Sequence, residues 1–218
     1  MIYNNFHGEI QQGKYIDEVL REYFPNYEYK GVFLDIGAYE PINISNSYHF
    51  EKNNWDVYCF EANTLLIDDL KKMRKNVFNY AIYDENKNDV NFFIVKAGYG
   101  GGSGMAGISA VELSPQYLQS YYYGGEIIKI NVEQKTINNI LENEIKLIRN
   151  EIDIISIDVE GGELKVLKGI DLNKYKVKIF VIENLFNNPE IYEYLKKYNY
   201  ILDKKIDYNE YYRLIDFI

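Results

Sequence analysis

The sequence predicts an α/β fold built on parallel strands, and three observations predict it. A short apolar run, Val32-Phe33-Leu34, ends at Asp35 and passes into Ile36-Gly37-Ala38. A second run, Val57-Tyr58-Cys59-Phe60, ends about twenty residues on at another acid, Glu61. A third, Ile152 to Ile157, ends at Asp158 and a glycine turn. Short apolar runs closed by an acid and a glycine read as buried parallel strands entering tight turns. The first two, with a helix between them, make a βαβ unit carrying a carboxylate at the C-terminal end of each strand, where open α/β sheets bind ligands.

In chain order, Met1 to Lys30 reads as a lead-in segment. Ile16, Val19, Leu20 and Tyr23 have helical spacing that Pro25 ends. Such a helix covers a ligand pocket, makes a contact in a homo-oligomer, or simply packs. After the first strand, Ser45 to Lys52 can form a helix with Tyr48 and Phe50 packed inward. Thr64 can cap a helix running to about Lys72, with Asp68 and Asp69 in its early turns. Val77 to Ile82 reads as a third strand and Val90 to Val95 as a further one. Residues 98–107, GYGGGSGMAG, carry six glycines and read as a loop, either a lid over substrate or a plain connection. Glu126 to Val132 alternates as a strand does, and Thr136 is a candidate N-cap for a helix to Leu141. After Asp158 the turn VEGGE leads into a helix through Leu164, Val166, Leu167 and Ile170. Val177 to Ile182 is the next buried strand, ending at Glu183-Asn184. Asn188-Pro189 opens a helix through Leu195, with proline suited to the first turn. Tyr200 to Leu202 and Tyr211 to Phe217 close the chain as strands.

Length and charge bound the answer. The 218 residues suit one well-buried domain, 1–218, with a lead-in at 1–30 and a core at 31–218. Net charge is −9 without a basic block, which argues against nucleic acid as a partner. The single cysteine, Cys59, excludes an intrachain disulfide and a cysteine zinc cluster. With no apolar run of membrane-spanning length and no signal-peptide core, the expected location is cytoplasmic.

The turn after the first strand narrows the ligand. Gly37 lets backbone approach a ligand closely, but it is the turn's only glycine, and Glu40-Pro41 stand where later glycines would be. A pyrophosphate needs several free N–H groups, which this turn lacks. A nucleoside without phosphates fits better, S-adenosylmethionine being the obvious candidate, with Glu61 accepting from ribose hydroxyls. A nicotinamide cofactor is disfavoured for the same reason, and a strand-turn without any ligand stays an alternative.

Four strings then agree. Asp158-Val159-Glu160-Gly161-Gly162-Glu163 with Leu167-Lys168-Gly169 resembles the DVEGxE…VLKG signature of the FkbM-family methyltransferases. DIGAYEPINISNSYHFEKNNW at 35–55 resembles that family's DIGAYDG…SNTYxFEKxxGW form. Residues 80–84, YAIYD, resemble its AI-x-D element, and Ile182-Glu183-Asn184 resembles its fifth-strand end. The resemblance implies a class I methyltransferase, Rossmann-like: a seven-stranded, mostly parallel sheet with helices on both faces and the last strand antiparallel. It implies that Asp35, Gly37, Ala38 and Tyr39 surround the methionine part of S-adenosylmethionine, that Ser47 reaches its carboxylate end, that Glu61 holds the ribose hydroxyls with Ala62 beside it, and that Asn79, Ala81 and Ile82 flank the adenine. Pro41 replaces the family's glycine and removes one N–H.

Methyl transfer to a hydroxyl needs alignment and a proton acceptor or a metal ion. Asp158, Glu160 and Glu183 are the candidate catalytic acids. Asp158, Glu183 and Asn184 could together hold a hard cation such as Mg²⁺. Glu163 is expected to serve its helix N-terminus, and His49, on the helix after the first strand, to be a surface or packing residue rather than a catalytic one. The function expected is O-methylation of a hydroxyl on a sugar, free or nucleotide-linked, in glycan or natural-product biosynthesis, the sugar being implied by the resemblance alone. The alternatives are a nitrogen or lipid-hydroxyl acceptor, or a non-catalytic adenosyl-binding scaffold.

Overall fold

In the computed structural model, residues 2–95, 109–112, 115 and 126–217 are described. Val32–Ile36, as β3, pairs in parallel with β4 (Asp56–Phe60) on one side and β10 (Glu151–Ile157) on the other. Being inside a sheet covered on both faces, these strands carry apolar residues at nearly every position. The full sheet adds β5 (Asn76–Phe78) beyond β4 and β11 (Lys176–Glu183), β13 (Asn209–Leu214) and β12 (Tyr200–Ile206) beyond β10. Its seven strands run in the order β12-β13-β11-β10-β3-β4-β5, and β13 is antiparallel to both neighbours. The seven-stranded, mostly parallel sheet with an antiparallel last strand is therefore as the sequence led us to expect.

Alternate residues of each strand face opposite layers. Leu34, Ile155 and Phe180 pack against α4 (Ile137–Asn143), α5 (Glu163–Lys168) and α6 (Pro189–Lys196). Their neighbours Phe33, Ile154 and Ile179 pack with α1 (Ile16–Tyr23), α2 (Tyr48–Lys52) and α3 (Ile67–Met73). The lead-in helix α1 thus joins the core through Ile16, Val19 and Leu20, all buried. Each such side chain contributes roughly 1.5–3 kcal/mol by leaving water. Before α1, β1 (Ile10–Gln11) and β2 (Lys14–Tyr15) make a small hairpin.

A second sheet of four strands has the order β6-β9-β7-β8, from β6 (Ala81–Ile82), β7 (Lys87–Val95), β8 (Ser109–Ala110) and β9 (Ile127–Lys135). The expected third strand over 77–82 is therefore two: β5 stays in the large sheet and β6 pairs with β9 in the small one. The break falls at Asn79, whose side chain turns back to the end of β4. Two caps follow the sequence: Thr136 accepts from the Asn139 N–H, and Asn188 from that of Glu190. Thr64 does not cap α3, since Asn63 takes the Leu65 N–H and the helix opens only at Ile67. Likewise α2 starts at Tyr48 rather than Ser45, with Ser47 at the N-cap position. The 98–107 glycine segment lies outside the described residues.

Candidate active site

The C-terminal ends of β3, β4, β10 and β11 meet along one edge. The turn after β3 is pressed onto its neighbours: the N–H groups of Gly37 and Ala38 both donate to the Phe60 carbonyl, at 3.0 and 3.1 Å, and the Asp158 N–H donates to the Ile36 carbonyl at 3.0 Å. Gly37 has φ +83°, and a Cβ there would collide with the Asp158 carbonyl oxygen. The approach of β10's end therefore requires a glycine here whether or not a ligand also comes close. Ala38 turns its methyl into the core. Tyr39 follows at φ +50°, a strained conformation for a non-glycine residue.

Glu61 is fitted between the two turns. One carboxylate oxygen accepts from the Tyr39 N–H at 2.9 Å and the other from the Asn63 N–H at 2.7 Å. Burial raises its pKa, and these N–H groups oppose the rise. The Ala62 N–H also acts on this carboxylate, and its remaining acceptor capacity is oriented for a hydroxyl such as those of a ribose. That donor–acceptor set fits the nucleoside expected here. Asn79 donates to the carbonyls of Glu61 and Ala62 at 2.8 and 3.2 Å, so its amide nitrogen holds this strand end in place. Ala62 and Ala81 share a small core with Phe92, Ile94 and Val132, while Ile82 lies in the main core. The side chains of Ala81 and Ile82 are therefore packed against protein.

Ser47 differs from expectation. It is fully buried, donates to Asp35 Oδ2 at 2.5 Å and accepts from Arg74 Nη2 at 2.7 Å. Its hydroxyl is engaged within the protein and does not reach toward a ligand carboxylate. Asp35 is buried too; burial raises its pKa, opposed by Ser47 and Arg74. Arg74 was invisible to pattern reading, because its partners lie 23 to 33 residues away.

At β10 and β11 the structure brings the predicted acids together. Asp158, Glu160 and Glu183 are each half-buried and offer carboxylate oxygens within 4.8 Å of one another. Burial, then the like charges of Glu183 and Glu160, hold the Asp158 pKa well above the usual carboxylate range. Glu160 (φ +59°) and Gly161 (φ +108°) form the turn. Glu163 secures that turn, accepting from the N–H groups of Gly161 and Val159 at 2.8 and 3.3 Å, as expected of a carboxylate at a helix start.

Asn184 does not join the acids. Its Oδ1 accepts from the Asn188 N–H at 2.7 Å, and its Nδ2 donates to Glu210 at 2.9 Å and to the Asn188 carbonyl. The amide oxygen proposed as a metal ligand is committed to the turn before α6, and Glu160 stands in the trio instead. Of the surface and packing places expected for His49, it takes the second: it is wholly buried, bonded to the Asn5 carbonyl and the Arg21 and Asn53 side chains, with burial pushing its pKa down to about 4. Sequence reasoning also missed Glu9 and Tyr208. The Tyr208 hydroxyl donates to Glu9, its carbonyl accepts from the Asn184 N–H at 2.7 Å, and Glu9 is one of the charges acting on Asp158.

Comparison with known proteins bears on this edge. The methyltransferase FkbM domain matches residues 35–202, which include Asp35, Glu61, Asp158 and Glu183. No curated protein matches the chain. Among solved structures, a precorrin-6y C5,15-methyltransferase from Geobacter metallireducens GS-15 is 14% identical at a TM-score of 0.40, with 97% of this chain and 94% of that one covered. A protein assigned as an RNA methyltransferase from Pyrococcus horikoshii is 10% identical at 0.35, with 95% and 94% covered. Scores this low carry no inference about this chain. The domain match spans most of the chain and takes in all four strand ends of the edge: the chain belongs to the FkbM methyltransferase domain family and is a methyltransferase.

Proposed function

We propose that this methyltransferase moves a methyl group from S-adenosylmethionine to a hydroxyl of a saccharide, with the donor at the ends of β3 and β4 and the acceptor at the ends of β10 and β11. Use of S-adenosylmethionine follows from the family. The donor site is supported by Glu61, whose carboxylate is aimed by two backbone N–H groups and can accept from the ribose diol. Asp35, Gly37, Ala38 and Tyr39 supply the adjoining backbone and carboxylate. The sugar acceptor rests on the sequence resemblance, and the strongly negative net charge agrees with a non-nucleic-acid substrate.

The observation that carries the hydroxyl acceptor is the Asp158–Glu160–Glu183 trio. A sugar hydroxyl is a very weak acid, and displacement at a sulfonium methyl is helped when a positioned base takes the proton as the oxygen attacks. Asp158 suits that task, because burial and its acidic neighbours make it a stronger base than an ordinary carboxylate. Glu160 and Glu183 border it and can hold the acceptor's other hydroxyls. A second reading comes from the same trio: three carboxylates this close suit a hard cation such as Mg²⁺, which would lower the hydroxyl's pKa in place of a base.

The test is conversion of S-adenosylmethionine to S-adenosylhomocysteine with a panel of free sugars, methyl glycosides and nucleotide sugars, in Mg²⁺ and in EDTA. Sugar-dependent turnover with methyl ether formation supports the proposal. Turnover only with amines or lipid hydroxyls transfers the acceptor to those classes, and loss of activity in EDTA favours the cation over the base.

A further inference from the structure

Arg74 follows α3 and is buried, its side chain wholly inaccessible. Its guanidinium fans out to four partners. Nε meets Glu51 of α2 at 3.1 Å, Nη1 meets the Pro41 carbonyl at 3.2 Å and Ser45 Oγ at 3.0 Å, and Nη2 meets Ser47 Oγ at 2.7 Å. Ser47 in turn donates to Asp35 Oδ2 at 2.5 Å. Pro41, Ser45 and Ser47 belong to the segment that joins β3 to α2, and Glu51 to α2 itself.

That segment needs a tether. It carries Tyr39 at φ +50° and Ile44 at φ +58°, and for a β-branched residue the latter is a true outlier. Strained conformations persist only where the surroundings over-determine them, and they gather at ligand-binding segments. The two bonds of Nη1, to residues 41 and 45, bracket Ile44. A planar fork with several fixed donors can hold such a loop at several points at once, which an ammonium cannot. Removing it would also leave a carboxylate, two hydroxyls and a carbonyl buried without their donor.

We propose that Arg74 is a positioning residue of the donor site: it clamps the 41–47 loop in its strained form and, through Ser47, fixes the rotamer of Asp35, so that affinity for the methyl donor depends on a residue remote in sequence from the donor-site strings. The proposal rests on the reading that the β3 end holds S-adenosylmethionine. Asp35 Oδ2 is taken by Ser47, so Oδ1 is the oxygen left to meet the donor.

The experiment is isothermal titration of the full chain with S-adenosylmethionine and, separately, S-adenosylhomocysteine. It compares wild type, Arg74→Lys, Arg74→Ala and Ser47→Ala, each shown folded by circular dichroism at the titration temperature. As a control, Ile191→Val in the opposite-face core lowers the melting temperature without touching the loop. The clamp predicts donor affinity down about tenfold or more in Arg74→Ala, an intermediate loss in Arg74→Lys, a loss in Ser47→Ala, and no change in Ile191→Val. Wild-type affinity in folded Arg74→Lys and Ser47→Ala overturns it, whether or not Arg74→Ala folds. If wild type itself binds neither compound, the donor-site reading falls and the clamp falls with it.

Discussion

The backbone N–H of Tyr39 donates to the side chain of Glu61 across 2.9 Å, joining the strained turn after β3 to the end of β4. The same carboxylate also receives the Asn63 N–H, so one side chain stabilises two turns while facing the proposed donor site. Glu61→Ala removes both acceptors. We expect a loss of about 1–3 kcal/mol in denaturant unfolding and at least tenfold weaker S-adenosylmethionine binding in titration. Unchanged affinity in the folded variant would separate the residue from the donor.

Asp158→Asn keeps the shape of the edge and removes the proposed base. Turnover is expected to fall about 100-fold or more, the usual contribution of a positioned base, while donor affinity stays near wild type. Because burial and Glu183 penalise the Asp158 charge, the neutral amide should not lower the melting temperature at neutral pH. Steady-state turnover alongside thermal denaturation reads both effects, and wild-type turnover would remove Asp158 from the chemistry.

Asp17 gives the pH dependence. It is wholly buried on α1, accepts from the His7 and Gly8 N–H groups at 2.8 and 3.0 Å, and burial pushes its pKa up to about 7. A carboxyl with a raised folded-state pKa binds its proton more tightly in the native protein than in the unfolded chain. Its contribution to stability is therefore complete below the unfolded pKa of about 3.9 and is lost as pH rises through about 7. Unfolding free energy measured by denaturant should decline over that window, and Asp17→Asn should flatten the decline. A profile with the same slope in both proteins would contradict this.

Gly37→Ala would force φ +83° on a residue with a side chain and push its Cβ into the Asp158 carbonyl. Destabilisation of more than about 1 kcal/mol is expected, with loss of turnover, since the shift moves Asp158 itself. A fully active, equally stable variant would show that the β3 turn and the end of β10 move independently.

How far the sequence was readable depends on the range of each interaction. The acids at strand ends were legible because an apolar run closed by Asp or Glu is a local pattern: Asp35, Glu61, Asp158 and Glu183 all lie at the edge where that pattern puts them. The caps Thr136 and Asn188 are local too, and both hold. Ser47 and Asn184 have the right side chains for ligand contact, yet their atoms are taken by Arg74, Asp35, Asn188 and Glu210, and most of these are distant pairings that spacing does not encode. The split of 77–82 arises similarly, from Asn79 bonding back to the end of β4. Glu9 meets Tyr208 only because the lead-in folds back on the last hairpin.

The measurement that tests the central claim most directly is isothermal titration of the full chain with S-adenosylmethionine, run in Mg²⁺ and again in EDTA. The account predicts a saturable isotherm in both buffers, since Glu61 and the β3 turn, not the acid trio, are proposed to hold the donor. The absence of binding in either buffer would contradict it.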